Sequence, residues 1–502
     1  MQLLAGPAWN TLHHVAARPR ACQAPMCGSA PPALHLCCPT SAMARGSIVP
    51  ELGQRSGCLL KCSRINRQLP VALPGISLYM ALLARGLLPT LYTTARVYFL
   101  GQLPRSSGMD IVSQLAWVGL LLEVLEEALI TPLYHCIGAT IGDRGATINK
   151  VHTGLVVSLA LYSTAGILIA SLASPLVAAM AQQAALRRDT VSCIRLQMVA
   201  ATVQGLEHFV HAVLVVLGYS RHICIKSLLH AATSVMLDYA LVSHLSGSLQ
   251  LGVIGVVLSN LGSYTVALSY AVLALVRGLR WTHNDLIAPL SWSWLPSWWR
   301  VGRWAAVVSL VRNTCYAAFI VRSVNLLSGA GIYWTANQFI WGWLLLPFTP
   351  LAQLLQQRVA NAGQGNAGHL RLALPYVLLA LCLFALWCAT MPAWRSFFRH
   401  VLNVQQPEAE LELVRWLLPY YLPYMLVSLT DAIFYGSGSA FPVVVAAVVT
   451  NVGVYGCAFM LSMAGVLPVT MHSVVTVFGI GMVAGLLARL CLHGIRSTNS
   501  RH

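Results

Sequence analysis

Charged residues are scarce in this chain. Asp, Glu, Lys and Arg make up only 9% of its 502 residues, whereas a soluble globular protein carries about 25%. Too little polar surface is left to cover a water-exposed globule of this size, which excludes a cytosolic enzyme, a secreted disulfide scaffold and a disordered chain. Since 57% of the residues are apolar and the mean hydropathy is +0.69, the sequence predicts an integral, multi-pass membrane protein.

Acidic residues are scarcer than basic ones, with 14 Asp and Glu against 31 Lys and Arg and a net charge of +17. Such an excess can indicate a nucleic-acid partner. Here the arginines lie mostly between apolar runs and in the N-terminal tail, so we expect the lipid bilayer as the partner and no nucleic acid. The lysines are few: Lys61, Lys150 and Lys226.

The sequence also lacks the signatures of metal, cofactor and enzyme sites. Six of the 14 cysteines lie in the N-terminal tail and the others are scattered singly among apolar segments, without the spacing of a zinc site. There is no glycine-rich phosphate loop followed by Lys-Ser/Thr, so ATP hydrolysis is not the expected energy source. We therefore expect no catalytic residues, no metal and no cofactor. A membrane-embedded enzyme acting on lipid is disfavoured because no nucleophile–base pair is evident.

Residues 1–69 differ from the rest, being rich in Arg, Pro, Ala, Ser and Cys with one acid, Glu51. This composition resembles an organellar transit peptide. The alternative is a start assigned too early, with the protein beginning near Met43 or Met80. In either case we expect a disordered basic tail that contributes nothing to the activity of the protein.

Long apolar runs recur from about residue 70, each long enough to cross a hydrocarbon core of about 30 Å. We number these predicted spans 1 to 12: 71–101, 110–140, 150–181, 191–218, 222–245, 249–277, 299–327, 331–358, 370–394, 411–436, 438–464 and 467–492.

The widest gap between spans divides them six and six. It predicts an N-terminal six-helix bundle over 71–278, a linker over 279–298, a C-terminal six-helix bundle over 299–493 and a tail over 494–502. Four tryptophans at the end of the linker and the start of span 7 suggest a helix lying at the membrane–water interface: Trp292, Trp294, Trp298 and Trp299. The distribution of Arg and Lys favours termini on the inner side. We expect a monomer in a plasma membrane, most simply a bacterial inner membrane.

A short internal repeat links the two halves. The pattern Gln-x-x-Trp-x-x-Leu-Leu-Leu begins at Gln114 in span 2 and again at Gln338 in span 8. Arg85 in span 1 similarly corresponds to Arg312 in span 7. Because six is even, duplicated halves would be related by a pseudo-two-fold axis along the membrane normal. This all-α architecture is typical of transporters whose site lies between the halves near the midplane.

Three stretches resemble parts of a known family: the end of span 2, the hairpin between spans 5 and 6, and the turn between spans 10 and 11. They are 132–144 (PLYHCIGATIGDR), 236–261 (MLDYALVSHLSGSLQLGVIGVVLSNL) and 434–451 (FYGSGSAFPVVVAAVVTN). From about 71 to 493 the chain resembles the multidrug and toxin extrusion (MATE) family of the multidrug/oligosaccharidyl-lipid/polysaccharide (MOP) exporter superfamily. The resemblance implies an antiporter that exports small organic molecules by alternating access, driven by a proton or sodium gradient.

The chain departs from that family where coupling is concerned. Members usually carry acidic residues in span 1 or in spans 7 and 8. Here span 1 contains Arg85 and spans 7 and 8 contain Arg312 and Arg322, without an acid. The family's coupling site therefore cannot be transferred directly to this sequence.

Span 2 contains the candidate replacement, a cluster of Glu123, Glu126 and Glu127. These residues fall within an arc of about 100° on one helix face. Three ionised carboxylates so close would repel, so at least one should be protonated or paired. We predict that this cluster responds to protons, with Arg85 as its electrostatic partner. The alternative is a purely structural network with Arg85 and Arg96.

The arginines within the spans allow two interpretations. Arg85 and Arg312 could face a central cavity symmetrically and bind an anion. Alternatively, each pairs with a glutamate or with helix carbonyls. Arg96 is expected to reach the outer interface by extending along its helix.

Further candidates are less specific. Glu207, close to His208 and His211, could relay protons, although histidines on apolar helices more often pack. Asp431 is expected to face the cavity because lipid offers it no partner, and Asp238 is expected to be structural. Other polar and aromatic residues could line the cavity, where tryptophans would suit flat organic substrates, although core packing explains them equally well: Gln114, Trp117, Asn313, Asn337, Gln338 and Trp341.

A second function remains open at this point. Buried arginines also suit a flippase or exporter of lipid-linked or anionic glycan precursors, although such flippases commonly have more than twelve spans. A flippase would need a lateral groove open to lipid, whereas an exporter needs a cavity open to water.

Overall fold

The computed structural model describes residues 76–102, 107–138, 140, 142–362, 366–437, 439 and 441–499, and within these ranges it contains helices and no strand. The predictions for the tail at 1–69 fall outside the described residues.

The N-terminal half consists of apolar helices, several of them broken at Gly, Pro or a charged turn. Asp143 illustrates a start signal, because its side chain accepts a hydrogen bond from the backbone N–H of Ala146 and caps the fourth helix. The helices are α1 (Ile76–Leu100), α2 (Ser107–Ile130), α3 (Leu133–Gly138), α4 (Arg144–Ser171), α5 (Ala173–Ala179), α6 (Arg187–Val216), α7 (Ser220–Leu241) and α8 (Gly252–Gly278).

The C-terminal half follows a short linker helix, α9 (His283–Ile287). Three of its spans contain a π-helical turn, at Ala317–Val321, Ile340–Leu344 and Asn451–Gly456. The helices are α10 (Leu295–Tyr316), α11 (Arg322–Leu326), α12 (Ala330–Phe339), α13 (Phe348–Ala362), α14 (Asn366–His400), α15 (Glu408–Gly436), α16 (Phe441–Thr450), α17 (Cys457–Met463) and α18 (Met471–Asn499).

Nine helical segments within the described ranges are long and apolar enough to cross a membrane, or ten if Ala330–Leu344 and Phe348–Ala360, bent by 53°, count as one span. α1 and α7 are also long but less apolar, since α1 carries Arg85 and Arg96 and α7 carries Lys226. Large apolar side chains such as Ile167 are exposed on the outside of the bundle, as lipid contact requires. The chain is an integral, multi-pass membrane protein, while twelve spans and two-fold symmetry remain predictions.

The linker differs from its prediction. α10 begins at Leu295, inside the segment assigned to the linker. Trp294 and Trp298 are buried and stacked 4.8 Å apart, and Trp298 Nε1 donates to the carbonyl oxygen of Leu129. Only Trp292 and Trp299 are exposed as an interfacial helix would require. Trp298 meets Phe209 of α6 edge to face, with ring centroids 6.5 Å apart, so the two indoles join the apolar core of the N-terminal half.

A charged loop contact anchors the linker to the start of α4. Arg144 donates to the carbonyl oxygens of Leu279 and Arg280 and to the carboxylate of Asp285 at 2.9 Å. The backbone N–H and the hydroxyl of Thr282 also donate to Asp285, and these hydrogen bonds hold the pKa of its carboxyl below the ordinary value.

The two halves meet along α2 and α10. Near the end of the bundle where α1 begins, Gly302 lies so close to α2 that a Cβ there would overlap the carbonyl oxygen of Ala128. Near the middle, Asn313 Nδ2 donates to the carbonyl oxygen of Leu120 at 2.9 Å. These contacts bring the charged face of α2 against the C-terminal half.

We expect Gly302→Ala to lower the free energy of unfolding by about 1–3 kcal/mol, because the added methyl group overpacks the contact of α10 with α2. The measurement is the melting midpoint of the purified protein in detergent. Gly453→Ala is the matched control, since a Cβ at Gly453 meets nothing within 4 Å. Equal losses in the two variants would contradict the close approach at Gly302.

At the opposite end of the bundle, which we call the far end, five hydrogen bonds join the halves. Gly331 N donates to Asp110 Oδ1 at 2.7 Å, and Asn325 and Gln114 exchange two hydrogen bonds, at 2.8 and 3.1 Å. Two others reach the end of α5: Asn325 Nδ2 donates to the Met180 carbonyl at 2.9 Å and Arg322 Nη1 to the Ala179 carbonyl at 2.8 Å.

Candidate functional site

A cavity of about 360 Å³ lies between the two halves. Its wall from the N-terminal half is charged and comes from α1, α2, α6 and α7. The opposite wall is aromatic and polar, and includes Gln338, Trp341 and Tyr424. A cavity with a few convergent polar groups on an otherwise apolar surface is the usual form of a small-molecule site.

The glutamates of α2 are held by an arginine of the other half. Arg312 Nη2 donates to Glu123 Oε1 at 2.8 Å and to Glu127 Oε1 at 2.9 Å, and both glutamates are buried. Asn313 Nδ2 also donates to Glu123, at 3.2 Å. The sequence predicted Arg85 as the partner of this cluster, whereas Glu123 and Glu127 contact Arg312, because their side of α2 packs against α10. Of the two glutamates that contact Arg312, Glu123 also lines the cavity.

Glu126 has a different partner and faces the cavity. His208 Nδ1 lies 2.7 Å from Glu126 Oε1, and His208 Nε2 lies 3.6 Å from Glu207 Oε2. A protonated imidazole can therefore donate toward both carboxylates, which joins α2 to α6 through charge.

Glu207 begins a chain of polar contacts along the cavity wall. Lys226 Nζ on α7 donates to Glu207 in a short contact and lies 3.2 Å from His211 Nδ1. His211 Nε2 lies 3.4 Å from Arg85 Nη2 on α1. The site residue missed in the sequence is Lys226. Its position in a mostly apolar segment could have identified it as a site residue, because a charge within the membrane is costly.

Two charged residues lie elsewhere than predicted. Arg96 does not extend to the interface; it is bound inside the N-terminal half by Asp238 at 2.9 Å and Asn260 at 2.6 Å, because an acid on α7 offers it a partner. Asp431 does not face the cavity: it is fully buried and accepts two hydrogen bonds from Arg489, at 2.5 and 3.0 Å.

The predicted cavity-lining residues separate into three groups. Gln338 and Trp341 line the large cavity. Asn313 belongs to the Arg312 ion-pair network. The others line a smaller cavity of about 60 Å³ near the far end: Gln114, Trp117 and Asn337. Since Arg312 is bound by two glutamates, the structure does not form the symmetric anion site with Arg85.

The part of the chain that the structure describes contains no group of three His, Cys, Asp or Glu residues placed to hold a metal ion.

No family model and no curated protein sequence matches the chain. Solved structures do. An inward-facing multidrug resistance MATE family transporter of the MOP superfamily aligns with a TM-score of 0.70 at 17% identity, covering 84% of this chain and 98% of that one. An outward-facing structure with the same description aligns with a TM-score of 0.62 at 17% identity, and the alignment covers 85% of this chain and 96% of that one.

A MOP superfamily transporter from Pyrococcus furiosus aligns with a TM-score of 0.64 at 16% identity, and the alignment covers 85% of this chain and 96% of that one. That protein is described as having a binding pocket of reverse polarity that suggests a different function. At this level of identity the likeness establishes the fold. The chain therefore has the fold of MATE transporters, and the resemblance found in the sequence is confirmed to that extent.

Proposed function

We propose that this chain is a secondary active transporter that exports small organic molecules by alternating access, using a proton or sodium gradient. The observation that carries the proposal is the cavity of about 360 Å³ between the halves, with charged groups on its wall. Ionisable groups at membrane depth are costly and are usually retained for function. The MATE fold supports the same conclusion, because the site of such transporters lies between their halves.

We assign coupling to the ion pair between the halves. Glu123 and Glu127 belong to α2, whereas Arg312 belongs to α10, so protonating one carboxylate weakens an attraction that crosses the boundary. Asn313 and Ser309 also contact this group, and Glu126 lies beside it on the same helix. Protons and substrate can therefore both shift the equilibrium between the formed and the broken state of this ion pair.

The test of transport uses the purified full chain in proteoliposomes with imposed proton or sodium gradients and a panel of fluorescent organic dyes. Gradient-dependent flux above that of protein-free liposomes is the expected result. Absence of flux for every dye under both gradients would contradict the proposal. The proposed partners are the bilayer and the substrate alone, with the protein acting as a monomer.

We expect Glu123→Gln to abolish the pH dependence of transport while the protein remains folded, because glutamine keeps the hydrogen bond to Arg312 but cannot titrate. The measurement is initial flux as a function of pH. Glu408→Gln serves as the control, since Glu408 pairs with Arg395 at an exposed site. A wild-type pH profile in both Glu123→Gln and Glu127→Gln would leave the cluster as a structural network.

The alternative function, a flippase for lipid-linked or anionic glycan precursors, was suggested by the arginines within the spans. Arg96, Arg312 and Arg489 each pair with a carboxylate. Arg85 lines the cavity, where its Nη2 lies 3.4 Å from His211 Nε2. An exporter of small molecules therefore accounts better for these charges.

A further inference from the structure

We propose that the outward side of α10, near the end of the bundle where α1 begins, binds a phospholipid with an anionic headgroup. Arg300 and Arg303 hold the phosphate, and Trp299 and Trp304 lie beside it at the level of the headgroups. The site is on the lipid-facing surface, apart from the cavity, and it does not depend on the transport function.

The first turns of α10 have one exposed side. Trp299 and Trp304 are 62% and 59% exposed, and Arg300 and Arg303 are exposed as well. At 100° per residue these four positions fall within an arc of about 140°. They therefore form one surface, which we call the α10 face. The buried residues of α10 lie outside that arc: Trp298, Gly302, Ser309 and Asn313.

The α10 face carries two positive charges that no acid offsets. In the part of the chain that the structure describes, neither Arg300 nor Arg303 belongs to an ion pair. Asp285, the acid of the preceding linker, is already bound by Arg144. Because residues three apart are neighbours on a helix, both guanidinium groups can reach the same phosphate.

An exposed indole supports one of these charges. The guanidinium carbon of Arg303 lies 5.3 Å from the centre of the Trp304 ring, which is a cation–π contact. The N–H groups at the edge of the guanidinium stay available to a ligand, since the ring contacts only its flat side. The α10 face therefore has a cation held in place and donors that are free to bind a phosphate.

The length of the helical segment places the α10 face at the depth of the headgroups. Leu295–Leu326 has 32 residues and is about 48 Å long, whereas a hydrocarbon core of about 30 Å needs about 20 residues. Further along the exposed side, Val307 and Leu310 are aliphatic, as contact with hydrocarbon requires. The surplus length therefore lies at the start of the segment, where the arginines and tryptophans are.

These features favour an anionic lipid over other ligands. Indoles prefer the interfacial region because they combine an apolar ring with one N–H group, and a small soluble anion would leave both rings of the α10 face uncovered. Arginine binds phosphate through paired hydrogen bonds. In phosphatidylcholine a quaternary ammonium offsets the charge of the phosphate, whereas an anionic headgroup keeps its charge and is attracted by basic residues at the membrane surface.

The test measures binding of single lipids to the purified full chain by native mass spectrometry in a mild detergent. Dioleoyl phosphatidylglycerol and dioleoyl phosphatidylcholine share their acyl chains and differ in headgroup charge. We expect the first phosphatidylglycerol to bind about tenfold or more tightly than the first phosphatidylcholine. The preference should shrink when ammonium acetate is raised from about 0.1 to about 1 M, because salt screens exposed charges. Equal binding of the two lipids overturns the proposal.

Variants locate the site, and all of them change exposed positions, so folding is retained. Arg300→Gln with Arg303→Gln should reduce the preference to about threefold or less, whereas lysine at both positions should retain part of it. Arg371→Gln with Arg415→Gln is the matched control, because it removes two exposed charges from α14 and α15. Glu412, one turn before Arg415, is also exposed and offsets its charge. An equal loss in the control, or none in the α10 variant, overturns the assignment to α10.

Soluble competitors separate a lipid from other occupants of the α10 face. Glycerol 1-phosphate and a hexaglutamate peptide present phosphate or carboxylate groups without acyl chains. We expect neither to displace phosphatidylglycerol at millimolar concentration, because the indoles and the acyl chains contribute to binding. Displacement by glycerol 1-phosphate would assign the face to free phosphate, and displacement by the peptide would assign it to an acidic protein. Either result overturns the lipid site.

Discussion

The Arg312→Met variant is expected to lose about 3–5 kcal/mol of the free energy of unfolding. The substitution leaves Glu123 and Glu127 buried at the boundary between the halves without the cation that both of them contact. Desolvated carboxylates without a charged partner cost several kcal/mol each. The measurement is denaturation of the purified protein by SDS titration in mixed micelles, with the melting midpoint as a second readout.

The triple variant Arg312→Met, Glu123→Gln, Glu127→Gln should recover much of that loss, because it removes the uncompensated charges together with the arginine. Arg395→Met is the control: Arg395 and Glu408 are more than half exposed, and breaking an exposed pair costs about 1 kcal/mol or less. If Arg312→Met were no less stable than Arg395→Met, Arg312 would not be the partner that compensates these glutamates.

The second large effect is expected for Arg489→Met, again about 3–5 kcal/mol of unfolding free energy. Asp431 has no exposed surface, and both of its carboxylate oxygens accept hydrogen bonds from Arg489. The same SDS titration measures the loss, and folded yield from the membrane provides a second measure.

This pair lies within the C-terminal half and does not line the large cavity. The flux per folded molecule should therefore stay close to wild type even where the yield falls. Arg489→Met combined with Asp431→Leu should be more stable than Arg489→Met alone. If the double variant were the less stable of the two, an unpaired Asp431 would not be the cause of the loss.

Hydropathy predicted the helical segments well because the length of an apolar run is a local property. The predicted span at 150–181, for example, corresponds to α4 and α5, and the break falls after Ser171. The start of α10 was misplaced because the sequence alone does not distinguish tryptophans at an interface from tryptophans that pack inward, as Trp294 and Trp298 do. The three-dimensional contact with α2 decides between the two.

The sequence also identified most charged residues of interest, since any charge within an apolar run is conspicuous. It could not assign their partners. Arg312 and Glu123 are 189 positions apart, and their contact depends on which faces of α2 and α10 meet. Lys226 was overlooked although it lies in α7, and with it the chain of contacts from Glu207 to Arg85. Helix periodicity orders residues on one helix and carries no information about the facing helix.

The five hydrogen bonds at the far end bear on how often the protein visits other states. Each contributes about 1 kcal/mol, so together they favour the joined arrangement by about 5 kcal/mol. That corresponds to a few thousandfold in population over a form in which these bonds are broken and not replaced. A ligand or ion that separates Asp110 from Gly331 and Gln114 from Asn325 must bind the separated form more tightly by a similar factor. The population of the separated form is then set partly by the far end, where the Gln114–Asn325 amides, the Asp110 carboxylate and the Arg322 guanidinium make these bonds.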